Sequence, residues 1–575
     1  MKLISPPRID RAPHLSISLG ENLGLYRKRS RSERLYAFVR LIWLTVAVHA
    51  GSFRCAPLEY LQALAWRARG LRVRSRNKIA ALAGRSPRAY DLWMAQHEEA
   101  GIERISAESE IEPIYPVIDC THGSDGLDAT LKSVAAARCQ VEPILLGVTD
   151  ETRTSERKVV HDLAMLAERS PVWLLPMRAG DLLAPNSLVA YSEVVRRIDG
   201  VKIIYADDDL IDTSGVRRSP HFKPNWNPEL FQHHDFITGA SVVAADRQML
   251  RELPRESWAE ALVGSAIRRA GFPVHLAQLL HHRRQRPAPK IPAKPARTLE
   301  RSQPRVSTII PTRNRHDLLR NCLEGLERTS YSEVETIIVD NGSDERDTLD
   351  LLAMLNREGL TVLRLDGPFN YSALNNAAVK RATGKLLCFL NNDIEMIDSD
   401  WLDLLVQHAI KPDIGAVGAR LLYPDGTVQH AGVYTGVGGG AGHAHRFQRA
   451  EDSGYFERAR LPQRVSAVTG ACLVVDRQKF NAVGGFDETQ FPVAFNDVDL
   501  CLKLNSYGWQ SFYEPRSTLI HHESKSRGKD SSKINRDRFA RELAALKLKW
   551  RTDEVRDPYH HPHLSPFCEQ FLVAI

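Results

Sequence analysis

Two blocks of the chain repeat one order of apolar runs and amphipathic stripes. In the second block the run at 386–390 is continuously apolar, and those at 306–310 and 336–340 are strand-like and rich in Ile and Val. Runs of this length, closed by polar turns, predict strands buried on both faces of a parallel sheet. After the first of them, Leu318, Leu319, Cys322, Leu323 and Leu326 recur at helical spacing and predict a helix with one buried face. The first block offers matching runs at 114–118 and 143–147, and a further strand-like run at 201–205. Its segment ending in Asp246, Arg247 and Gln248 parallels the one ending in Asp476, Arg477 and Gln478. Each block closes on a helix, a glycine and a histidine doublet: Gly271 with His281 and His282, Gly508 with His521 and His522. The pattern predicts an α/β protein built by tandem duplication of a doubly wound domain.

Composition changes at the edges of these blocks. Residues 1–110 predict a basic, helical extension, 111–285 the first domain and 305–530 the second. Between them, 286–304 holds Pro287, Pro289, Pro292, Pro295 and Pro304 and predicts a semi-extended linker. A helix and tail fill 531–575. No apolar h-region of a signal peptide is expected in the first thirty residues. The apolar stretch at 41–48 is shorter than the roughly 20 residues a span requires. It follows Arg27, Lys28, Arg29 and Arg31 and precedes a basic run at 67–76. Peripheral contact with an anionic membrane and a plain helical appendage packed on the body are both compatible with that pattern.

The chain has 575 residues, 43% hydrophobic and 26% charged, as in soluble globular proteins. Its net charge of +7 comes without an aromatic and arginine code, so no nucleic-acid partner is expected. Eight cysteines show no CxxC pair. Several, such as Cys388 and Cys472, lie in apolar runs and predict reduced, buried thiols of a cytoplasmic protein.

Candidate chemistry gathers where the run 386–390 meets Asn391, Asn392 and Asp393. Ligands of open α/β sheets bind at the carboxyl ends of strands. A carboxylate beside neutral oxygen donors there suits a divalent cation carrying a diphosphate, although Asn and Asp are also ordinary turn residues. Asp340, before Asn341 and Gly342, ends the second strand and reads as a hydrogen-bond acceptor for ligand N–H or hydroxyl groups or as a simple turn. Alignment of the blocks sets Asp340 against Gly147, Asn391 against Ala179, Asp497 against Glu260 and Asp499 against Leu262. The first block has thus lost most carboxylates that the second retains, and it reads as degenerate. Its own acidic run, Asp207, Asp208 and Asp209, reads as a metal locus or a solvated turn.

Several short motifs now stand in order: Ile310 to Asn314; Val339, Asp340, Asn341, Gly342 and Ser343; Asn370 to Asn375; Asn391 to Asp393; Thr469 to Cys472; Gly484 to Glu488; Asn496, Asp497, Val498 and Asp499; and Ile520 to Ser524. With them the second block resembles a family 2 glycosyltransferase of the GT-A fold. The whole is similar to the tandem-domain, rhamnosyltransferase-like or rhamnan-synthesis-like branch of bacterial surface polysaccharide biosynthesis. Tyr90, Trp93, Phe222, Lys223, Pro224, the segment 423–432, His443 and His445 also resemble that branch. The resemblance implies two tandem GT-A-like domains and a nucleotide diphosphosugar donor. It implies a glycan or lipid-linked glycan acceptor at the cytoplasmic membrane face. Asp393, Asn391 and His521 would hold Mn²⁺ or Mg²⁺. Pro311, Thr312, Arg313, Asp340, Asn375 and Asn392 would line the donor pocket. Asp497 would be the general base of an inverting displacement, with Asp499 at the start of a helix over 500–506. A bifunctional enzyme with both domains active, and a silent scaffold of a polysaccharide assembly complex, are the alternatives. The glycine-rich loop 436–440 reads as a mobile lid or a structural turn.

Overall fold

A computed structural model describes residues 16–17, 31–101, 112–147, 163–295, 303–523 and 533–575. Arg27, Lys28, Arg29, most of the first thirty residues, linker residues 296–302 and Ser524 lie outside them.

The protein is α/β, with two mixed sheets and a helical N-terminal region. In the second sheet the strands run Thr361–Arg364, Val334–Asp340, Val306–Thr312, Leu386–Leu390, Cys472–Asp476, Ile414–Leu422, Gln510–His521 and Ile394–Met396. The first four are mutually parallel; Cys472–Asp476 is antiparallel to both neighbours. The first sheet repeats this order with Ile144–Leu146, Ile114–Asp119, Val172–Arg178, Ser241–Ala245, Ile203–Ile211 and Val274–Arg283. Its short strand Leu182–Leu183 pairs antiparallel with the last, as Ile394–Met396 does in the second sheet. Every residue of Leu386–Leu390 is fully buried, which explains an apolar run without alternation. Leu318, Leu319, Cys322 and Leu323 are the buried face of the helix His316–Glu327.

Register refines the matched histidine doublets by one residue. Leu182 pairs with His282 where Ile394 pairs with His521. His282, not His281, is therefore the counterpart of His521.

The solvated-turn reading of Asp207 to Asp209 does not survive: all three lie buried in the strand Ile203–Ile211. Each has its own cationic or imidazole partners. Asp208 meets Lys223 at 2.7 Å and also Arg286, while Asp209 meets His282 at 2.8 Å and Arg217. Asp207 lies 3.0 Å from His275 and 2.8 Å from His561 of the C-terminal tail, the three fully buried and grouped as metal ligands can be. Burial works against the Asp207 charge, but these imidazoles hold its carboxyl well below the ordinary value.

The tail welds the parts together. His563 packs edge-on against Trp93, and the Asn225 amide donates to the Pro558 carbonyl at 2.8 Å. The fully buried Arg458 donates to the Tyr559 carbonyl at 3.0 Å. The glycine-rich loop lies under this region: a side chain at Gly440 would strike Leu543 of the helix Lys533–Trp550 at 2.4 Å. Packing of that kind fits the structural turn rather than the lid.

The N-terminal helix is longer than its apolar core suggested. It spans Arg31–Cys55, and Ser32–Cys55 is long and apolar enough to cross a membrane by length and composition, contrary to the expectation from 41–48. Leu44 and Val48 pack one face against Ala83 and Leu92.

Candidate active site

Parallel pairing of Val306–Thr312 with Val334–Asp340 sets Thr312 beside Asp340 at the carboxyl edge of the second sheet. Asp340 is buried, and Oδ1 accepts the Ser343 amide at 2.9 Å while Oδ2 accepts from Arg364 at 3.0 Å. Each oxygen keeps a further lone pair for a ligand hydroxyl or N–H. The Asn392 amide nitrogen donates to Thr312 Oγ1 at 2.9 Å, tying the Asn391 to Asp393 turn to the first strand. Pro311 is buried within that strand and Arg313 is exposed just past it. Asn375 is fully enclosed in the helix Tyr371–Val379, with its amide donating to the Tyr371 carbonyl at 2.8 Å.

Asp393, Asn391 and His521 converge. His521 Nε2 stands 3.1 Å from Asp393 Oδ1 and 3.3 Å from Asn391 Nδ2. The other ring nitrogen, Nδ1, lies 2.6 Å from Gln429 Oε1. The Gln429 amide nitrogen donates to Glu523 at 3.0 Å, and a carboxylate only accepts, so the Gln429 oxygen must face His521. His521 Nδ1 therefore carries the proton. In the neutral ring, Nε2 then presents a lone pair to a carboxylate oxygen at hydrogen-bond distance. The Asn391 amide at 3.3 Å donates to that lone pair, but the carboxylate still faces it, and a second proton or a metal ion relieves the opposition. Orientation of a ligating imidazole by an acceptor on its far nitrogen is how metal sites select the tautomer. Burial pushes the Asp393 carboxyl up; once Nε2 carries the second proton, the hydrogen bond and charge of His521 outweigh burial and hold the carboxyl below its ordinary value. An anionic oxygen, a neutral imidazole nitrogen and an amide together fit a divalent cation.

Two residues link this group to Asp497. The Asn391 amide donates to the Ala471 carbonyl at 3.0 Å, and the neighbouring Gly470 amide donates to Asp497 Oδ2 at 2.9 Å. Val498 N–H holds the other Asp497 oxygen at 2.8 Å. Burial is the largest influence on this carboxyl and raises it above its ordinary value despite those donors. The helix here begins at Asn496, four positions before the expected start, because Phe495 turns the chain through a left-handed conformation at φ 60°. Both aspartates thus stand in its first turn, but their surroundings separate them. Asp499 is fully buried against Lys549 and the Trp550 indole, each at 2.8 Å, and anchors the C-terminal helix.

Gln429 and Arg364 were not singled out from the sequence. Gln429 sits within the 423–432 motif, but nothing in its spacing announces that it sets a tautomer. His445 is buried and His443 half-buried against the tail segment, beside Phe571 and Glu569 respectively.

With this geometry in view, three relatives are informative. An uncharacterized protein y4gI of Sinorhizobium fredii is 40% identical over 68% of this chain and 48% of its own length. The O-antigen biosynthesis protein RfbC of Myxococcus xanthus is 36% identical over 67% of this chain and 33% of its own. An N-acetylglucosaminyl-diphospho-decaprenol L-rhamnosyltransferase of Mycobacterium tuberculosis is 28% identical over 37% of this chain and 74% of its own. The chain spans half or less of the first two relatives' length. Residues 307–484, which carry Thr312, Asp340 and the Asn391 to Asp393 turn, match the model of glycosyl transferase family 2.

Proposed function

We propose that the second domain is a metal-dependent, inverting glycosyltransferase. It would move a sugar from a nucleotide diphosphosugar to a cell-surface polysaccharide or lipid-linked glycan acceptor. The observation that carries this reading is the opposition of His521 Nε2 and Asp393 Oδ1, with the tautomer set by Gln429. Asp393, His521 and Asn391 would hold Mn²⁺ or Mg²⁺, which supplies Lewis-acid stabilisation of the negative charge on a departing diphosphate. Asp340 and Thr312 orient the nucleoside at the neighbouring strand ends. Asp497, pinned by two amides, accepts the proton of the acceptor hydroxyl as that oxygen attacks the anomeric carbon. The carbon–oxygen bond to the diphosphate breaks on the opposite face, so configuration inverts. The relatives' names favour a deoxyhexose donor and a surface glycan. The test is a panel of nucleotide sugars incubated with the protein, with and without Mn²⁺ or Mg²⁺. Metal-dependent release of a nucleoside diphosphate is expected; metal-independent release overturns the reading.

Contact with the cytoplasmic membrane belongs to the same proposal. Leu35, Phe38, Val39, Ile42 and Val46 form a stripe, each about half or more exposed, and Leu58 and Leu61 of the helix Pro57–Ala68 add to it. Residues 31–88 hold twelve lysines and arginines against two glutamates. An apolar face rimmed by arginines suits an anionic lipid interface. Sedimentation with phosphatidylglycerol vesicles should be lost when Phe38, Ile42 and Leu58 become serine; sedimentation unchanged by those substitutions removes this part.

A further inference from the structure

The first domain keeps a cleft where the second has its candidate site. It holds about 370 Å³ and lies at the carboxyl ends of Ile114–Asp119, Val172–Arg178 and Val274–Arg283. Arg178, Thr238, Gly239, Trp258 and Arg283 are among its walls.

Arg283 is the unusual member. It is only 7% exposed, and among the described residues its guanidinium makes no hydrogen bond. The nearest carboxylate oxygen, Asp208 Oδ2, is 3.8 Å away and already holds Lys223 at 2.7 Å. Arg283 rests on Gly239, where a Cβ would come within 2.6 Å of its Nη2. The Thr238 hydroxyl is likewise buried without a partner. Across the cleft begins the helix Trp258–Ala270, whose N-terminus has no side-chain cap. Residues Ser257 to Glu260 of that end line the cavity.

The carboxylates nearby are spent elsewhere. Asp119 accepts from the Trp258 indole and the Thr121 amide, and Asp235 from the Ile237 and Thr238 amides. Asp181 accepts the amides of Arg284 at 2.8 Å and Arg178 at 3.2 Å. Arg286 is taken up by Asp208, and exposed Glu260 stands at the rim. A desolvated guanidinium without an acceptor is costly, and an oxyanion is the ligand that satisfies it together with a free hydroxyl and free helix amides.

We propose that this cleft binds a phosphate-bearing ligand without a divalent cation. Arg283, Thr238 and the first amides of Trp258–Ala270 hold the phosphate oxygens, with exposed Arg178 at the mouth. A diphosphate there comes from a nucleotide or from a lipid-linked glycan. The assignment is independent of the second domain's proposed activity, and the test keeps the two apart.

Calorimetry of the full chain in excess EDTA, with inorganic pyrophosphate as the probe, is the experiment. Saturable binding is expected. Arg283→Gln should weaken it about tenfold or more, and Thr238→Val by a smaller factor. Asp393→Asn should leave it intact. With binding established, UDP and farnesyl diphosphate are compared: tighter UDP assigns the nucleotide, tighter farnesyl diphosphate the lipid-linked glycan. No binding at millimolar pyrophosphate overturns the proposal. So does binding that is indifferent to Arg283→Gln and Thr238→Val, or that disappears with Asp393→Asn. Should Arg283→Gln fail to fold, Thr238→Val decides.

Discussion

In the second domain Ile394 pairs with His521, and in the first Leu182 pairs with His282. Asp393 and Asp181 each precede that pair, so both domains retain an aspartate and a histidine at one place in the fold. They use them differently. Asp393 faces His521, whose far nitrogen is held by Gln429. Asp181 instead accepts two backbone amides, and His282 turns to Asp209 at 2.8 Å. Burial pushes the Asp181 carboxyl up while His521 holds the Asp393 carboxyl down. Residue types at matched positions are therefore a poor guide to a metal site. The partners that orient them decide, as expected when one architecture hosts unrelated chemistry.

The comparison breaks most visibly under one identical substitution in each domain. Asp393→Asn should lower sugar transfer about 10²–10³-fold, the range for losing one charge-stabilising group. Asp181→Asn preserves an acceptor for the amides of Arg284 and Arg178 and should leave transfer within about twofold, since Asp181 stands in the first domain and not beside Asp393 and His521. Initial rates with radiolabelled donor measure both. Equal losses would mean that the domains share the chemistry.

Asp497 sharpens the contrast through pH. A base must be ionised to act, and burial raises this carboxyl, so kcat/KM should rise with pH along an acid limb lying above the ordinary carboxylate value of about 4. Asp497→Asn should cost about 10²-fold in kcat and abolish that limb. A limb that survives in the variant assigns it to another group.

A smaller effect is expected from Gln429. Its replacement by leucine removes the acceptor for His521 Nδ1 and should weaken Mn²⁺ activation about 10-fold at constant kcat, as loss of an orienting partner does. Titration of activity with Mn²⁺ reads this directly. In the first domain His282 Nδ1 has its own acceptor, Asp209 at 2.8 Å, so Gln429→Leu isolates what an orienting partner contributes where the facing aspartate is also in place.

Much of this was readable in the chain. Continuous apolar runs announced doubly buried strands, and Leu318 to Leu326 announced a helix, because burial on both faces or on one leaves a periodic mark. The turn from Asn391 to Asp393 announced itself by ending such a run. What stayed hidden depends on partners distant in sequence. Asp207 reads as a solvated residue until His561 arrives from the tail, and Asp499 matches Asp497 until Lys549 and Trp550 cover it. The helix start at Asn496 was missed because a left-handed phenylalanine has no compositional signal.

That left-handed residue recurs, and it supports the finest test of the comparison. Ser257 precedes Trp258–Ala270 at φ 52°, as Phe495 precedes Asn496–Ser506 at φ 60°. Neither is glycine, so each domain bears a backbone cost at the mouth of its cleft. Ser257 is exposed and caps nothing with its side chain, whereas Phe495 packs against Phe539 of the C-terminal helix at 5.2 Å. Ser257→Gly should therefore relieve strain and stabilise the fold by about 0.5 kcal/mol, with transfer unchanged. Phe495→Gly gains the same relief but surrenders the contact that seats the helix carrying Lys549 and Trp550. It should lower the melting temperature and, by loosening the turn that holds Asp497, reduce kcat several-fold. Paired melting curves and rates for the two variants check this; parallel behaviour would show that the second domain's left-handed turn serves folding alone and does not position its base.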